Sequence, residues 1–199
     1  MSKLELCTSS DCSDATVLTN TSASFNIASA SAGADVGSWI NSFELEIGKT
    51  YTHIRSTINS TFTIAGYTTN SSISSSYCVT ESSPNTVASH NTAPIVDGSN
   101  STTTTDMSWV IPNEADADNG SFYGDLSSDF STNSITKTND SSTFYWVGTL
   151  ANSYTPNINS APKITISFDV ANQLRSQQAG ADTCYMYVLP PTVSVSLTD

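Results

Sequence analysis

With 199 residues, 18 acidic against 6 basic side chains and a net charge of −12, the chain is acidic and long enough for one sizeable domain. Its basic residues (Lys3, Lys49, Arg55, Lys137, Lys163 and Arg175) stand singly, which argues against a phosphate-neutralising stripe, direct nucleic-acid binding or attraction to an anionic membrane. Ser and Thr make up about a third of the residues, yet three Trp, eight Tyr and seven Phe point to a folded β protein with long polar loops rather than a disordered tract.

The opening segment carries Glu5, Asp11 and Asp14 where a signal peptide needs an apolar stretch, so no export signal is expected, and no apolar run approaches a membrane span. Leu4–Cys7 and Ala15–Thr19 read as the first strands. Between Trp39 and Ile47, alternation predicts a strand with Trp39, Asn41, Phe43, Leu45 and Ile47 facing inward and Glu44 and Glu46 outward. Further strands are expected at Tyr51–Ile58, Thr61–Ala65, Ile73–Thr80, Met107–Ile111, Thr143–Leu150 and Thr183–Leu189. Turn signals such as Gly48, Ala65-Gly66-Tyr67, Asp97-Gly98 and Pro190-Pro191 separate them. The cleanest alternation runs from Lys163 to Val170, with Ile164, Ile166, Phe168 and Val170 on one face; Val193, Val195 and Leu197 repeat it near the end. Residues 170–178 (VANQLRSQQ) read as one short helix, capped by Asp169 and stopped by Gly180. The expected fold is all-β: an antiparallel β-sandwich or jelly-roll-like domain spanning 1–199, with a split near 98–106 as the alternative.

The acidic loop is the strongest candidate for chemistry. Asn113, Glu114, Asp116, Asp118 and Asp125 gather hard oxygen ligands of the kind Ca²⁺ takes, but the spacing is not that of an EF-hand, and a solvated acidic loop is the simpler reading. No other cofactor is expected. Cys7, Cys12, Cys78 and Cys184 read as free or partly buried thiols, with Cys7 and Cys12 close enough for a local clasp. Six Asn-x-Ser/Thr sequons occur, about as many as composition alone produces. The Trp residues read as core or interface rather than a sugar platform. Neither His53 nor His90 stands in a hydrolase motif, and no phosphate loop or zinc spacing is present, so an enzyme is not expected.

Leu4-Glu5-Leu6-Cys7, followed by Ser10-Asp11-Cys12-Ser13 and a Thr/Ser-rich strand, resembles the opening of small structural proteins of tailed bacteriophages. The resemblance implies a virion component, made in the host cytoplasm: a capsid decoration or cement subunit, or a neck or tail piece. Its partners would be other virion proteins and further copies of itself. The contrasting expectation is a surface adhesin or glycan-binding module, assisted by calcium at the acidic loop.

Overall fold

The computed structural model describes residues 1–28, 37–40, 43–117 and 130–199. The fold is all-β, of antiparallel β-sandwich character, with a four-residue helix α1 (Glu114–Ala117). Among the described residues no helix is long and apolar enough to cross a membrane. The chain forms two compact units: residues 1–59, 143–171 and 191–199 make the first, and 60–142 with 172–190 make the second. The stretch 98–106 therefore lies inside the second unit. Because the units interleave along the chain, a single compositional break cannot mark their boundary.

Strand numbers run along the chain. The first unit holds β1 (Lys3–Cys7), β2 (Ala15–Thr19), β3 (Tyr51–Asn59), β10 (Thr143–Tyr154), β11 (Lys163–Asp169) and β14 (Thr192–Thr198). They lie in the order β11-β14-β10-β3-β1-β2. All these neighbours run antiparallel except β10 and β14, which meet in parallel at Leu150 and Val195. Alternation puts Leu4 and Leu6, Leu150 and Tyr154, and Val195 and Leu197 into one core, which Tyr51 and Ile54 also enter. Each such fully buried aliphatic side chain stabilises by about 1.5–3 kcal/mol. Trp146 packs against the same core, and a Cβ on Gly148 would come within 2.3 Å of its ring, so the indole rests against bare backbone.

Trp39–Ile47 does not form the expected strand. Its described residues are irregular, and Asn41 lies outside them. Trp39, Ile40 and Leu45 nevertheless pack against the core, and the Trp39 Nε1–H donates to the Thr21 carbonyl at 2.8 Å. Trp39, Phe43 and Leu45 are half-buried as alternation expects, but Ile47 is 65% exposed, and burial does not require a ladder partner.

The second unit holds β4 (Thr61–Ile64), β5 (Tyr67–Thr69), β6 (Tyr77–Val79), β7 (Ile95–Ser99), β8 (Met107–Val110), β9 (Ile135–Thr136), β12 (Leu174–Gly180) and β13 (Thr183–Val188). Five of them form a sheet in the order β12-β13-β7-β6-β5, and β4 pairs with β8. The sheet curls until its two edges approach, where Thr68 Oγ1 on β5 hydrogen-bonds Ser176 Oγ on β12. Ile73, Cys78, Val96, Met107, Cys184 and Met186 form its core.

Residues 170–178 are not helical. The Asp169 carboxylate does accept the Ala171 N–H at 3.0 Å, as a cap would, but Asn172 then takes a φ of 57°, through which a right-handed helix cannot continue. The following residues pair with β13 from Leu174↔Val188 to Gly180↔Thr183. As a helix the segment would offer only Val170 and Leu174 as an apolar stripe, too little to outweigh the strand ladder.

The cysteines are also not free. Cys7 pairs with Cys12 and Cys78 with Cys184, with Cα separations of 4.9 and 6.0 Å. The first closes a local clasp beside β1. The second joins β6 to β13 across the second unit's sheet, 106 residues apart in sequence.

Candidate functional site

The acidic loop departs from Pro112 just after β8, and its two flanks meet at one buried polar hub. Asn113 is 4% exposed and Lys137 8%. Asn113 Oδ1 accepts from Lys137 Nζ at 2.8 Å and from the Asp140 backbone N–H at 2.8 Å. Its Nδ2 donates to Asp140 Oδ1 at 3.1 Å and to Asp116 Oδ2 at 3.3 Å. The Asn113 N–H also donates to the His90 carbonyl at 2.9 Å. Burial lowers the Lys137 pKa from its ordinary value, while the charges of Asp140 and Asp116 act the other way.

Of the five residues expected to hold calcium, the structure therefore brings Asn113 and Asp116 together. Glu114 is exposed in the first turn of α1. Asp118 and Asp125 lie outside the described residues. Among the described residues, no group of three or more acidic, His or Cys side chains could hold a metal ion. The ammonium of Lys137 is the cation these groups already face. It was not legible as such in the sequence, because a single Lys 24 positions from Asn113 carries no spacing signal. The hub's physical task is to tie the chain on either side of the acidic loop. Lys137→Met should lower the second unit's stability by about 1–3 kcal/mol, since buried acceptors lose their donor. Urea unfolding followed through Trp109 emission, with Trp39 and Trp146 replaced by Phe, reads this.

A second ionic cluster, not anticipated from the sequence, lies on the first unit's sheet. Glu5 on β1 stands opposite Arg55 on β3, and its carboxylate accepts from Arg55 Nε at 2.8 Å, Arg55 Nη2 at 3.1 Å and Lys3 Nζ at 2.7 Å. The Arg55 guanidinium also lies 5.7 Å from the Tyr145 ring centroid. Burial alone would raise the Glu5 carboxyl, but the hydrogen bonds and charges of Arg55 and Lys3 together hold its pKa below the ordinary value.

The remaining candidates are drawn into local contacts. His53 Nδ1 lies 2.8 Å from Thr52 Oγ1, and His90 Nδ1 lies 3.2 Å from the Ile111 carbonyl. Trp109 is 4% exposed and packs on Phe62, with ring centroids 6.0 Å apart.

The first unit also offers a shallow groove of mixed polar and apolar lining. Phe43, Leu45, Ile47, Pro156, Ile158 and Pro162 line a groove of about 310 Å³, with Ile47 65% and Ile158 85% exposed. Such a concave, partly apolar surface can bind a partner side chain, and no acid–base pair stands in its lining, where Glu44 is the titratable residue. No protein-family model matches the chain, and no curated protein or solved structure is significantly similar to it.

Proposed function

We propose that this chain is a non-enzymatic structural subunit of a virus particle, a capsid decoration or a neck or tail piece, acting through protein–protein assembly. The observation that carries the reading is the groove with Ile47 and Ile158 exposed at its rim, in a unit whose buried Glu5 is matched by Arg55 and Lys3. A surface that contacts neighbours needs apolar side chains outside and a rigid scaffold behind them, and the sheet of the first unit supplies that scaffold. The charge of −12 keeps free subunits apart in solution until a specific contact forms. The resemblance of the opening segment to phage structural proteins points the same way.

The two disulfides favour a protein that works outside a reducing cytoplasm, which holds for a released particle and equally for a cell-surface adhesin. Density-banded particles from the source, digested and quantified by mass spectrometry, separate the two readings. The chain at a fixed copy number per particle is the expected result. Its absence from particles, together with calcium-dependent binding on a glycan array, would replace this reading with the adhesin.

A further inference from the structure

We propose that the free edge strand β11 pairs antiparallel with β11 of a second copy, joining two first-unit sheets into one continuous sheet about a two-fold axis at Ile166. This rests on the assembly reading above and names one of its contacts. Among the described residues, the first unit's sheet path and the second unit's five-stranded sheet end in four terminal strands, and three of them are blunted. β5 and β12 of the second unit are linked to each other through Thr68 and Ser176. β2 spans five residues, its ladder with β1 shifts register between Leu4 and Glu5, and the Lys49–Asp14 ion pair stands just before it. β11 has none of these protections. It is seven residues long, contains no Pro, and runs in unbroken register with β14 from Lys163↔Thr198 to Asp169↔Thr192. Among the described residues it has no strand on its other side. Such an edge is a template for another chain unless something blocks it.

The sequence of β11 is complementary to itself. Antiparallel pairing centred on Ile166 sets Lys163 opposite Asp169 of the second copy, and Asp169 opposite its Lys163. Ile164 meets Phe168, Thr165 meets Ser167, and Ile166 meets Ile166. Directly opposite residues share a face, so the two ion pairs and the Thr–Ser pairs fall on the exposed side. Ile164, Ile166 and Phe168 fall on the half-buried side, where Ile164 and Ile166 already pack against the core. The apolar strip would therefore run from one core to the other. Isologous closure of this kind ends at two copies and needs no further surface. A single strand pair buries less than a standard interface, so the isolated dimer is weak and gains strength where a particle holds copies close together.

Sedimentation velocity of the oxidised full chain at rising concentration, in low salt, tests this. The expected result is a reversible shift from the 21.0 kDa monomer to a dimer. K163D and D169K each set like charges opposite one another twice, and each should weaken association about tenfold. The double variant K163D/D169K restores both ion pairs with reversed sense and should return to within about threefold of the original. Far-UV circular dichroism verifies that all three variants fold, as substitutions at these exposed positions should. A wild-type chain that stays monomeric up to millimolar concentration overturns the pairing, as does a dimer indifferent to the single variants or one the double variant fails to restore. Any of these leaves the assembly reading to the particle analysis, which does not depend on β11.

Discussion

Replacing Cys78 and Cys184 together by alanine should destabilise the second unit by about 4–5 kcal/mol, the value chain-entropy arguments give for a loop of roughly a hundred residues. The two positions are 106 residues apart, and both side chains are fully buried in the core with Val96, Met107 and Met186. The bond joins β6 and β13, which flank β7, so it holds the middle of the five-stranded sheet. Without it the unfolded chain regains the freedom of the whole intervening segment. The Cys7–Cys12 clasp closes only five residues and, by the same relation, contributes about 2 kcal/mol. Trp109 is the second unit's tryptophan, so urea unfolding followed by tryptophan emission in a Trp39→Phe/Trp146→Phe background reads this unit. Equal losses from the two double substitutions would contradict the argument.

The second large effect belongs to Arg55. Arg55→Ala leaves the Glu5 carboxylate, with 4% of its side chain exposed, facing only Lys3, and should lower the first unit's stability by about 3 kcal/mol. The loss comes mostly from the stranded charge rather than from the pair itself. Replacing Glu5 and Arg55 together by valine should therefore come back to within about 1 kcal/mol of the original, since β-branched residues suit opposed positions on β1 and β3. The effect depends on pH with a definite sign. The folded-state pKa of Glu5 lies below its ordinary 4.5, so its stabilising contribution is complete above that pH and fades as pH falls through the folded value. Denaturation curves of the original and Arg55→Ala proteins should converge in acid and separate at neutral pH. A constant gap down to pH 2 would show that Arg55 acts by packing on Tyr145 instead.

The parts of the fold legible in the sequence are those where one face of a strand is apolar and the other polar. Lys163–Asp169 and Thr192–Thr198 were readable for this reason. β7 was missed because Asp97-Gly98 reads as a turn. In the folded chain Gly98 sits in the strand because Asp182 occupies the space beside it: a Cβ there would lie 2.4 Å from Asp182 Oδ1, and the Gly98 N–H donates to the Asp182 carbonyl at 2.8 Å. β12 was read as a helix because it lacks β-branched residues, follows Asp169, a cap candidate, and ends at Gly180, a stop signal, and only pairing with β13 makes it a strand. The acidic loop was legible as a cluster, but not the Lys137 that neutralises part of it. The Glu5–Arg55 pair depends on β1–β3 register, which no local pattern encodes.

The claim that this chain works by taking a place in an assembly is tested most directly by electron cryomicroscopy of purified particles from the source. The account predicts density matching the two β units at symmetry-related positions, with the Ile47 and Ile158 groove covered by a neighbour. A particle map fully accounted for by other chains would contradict it.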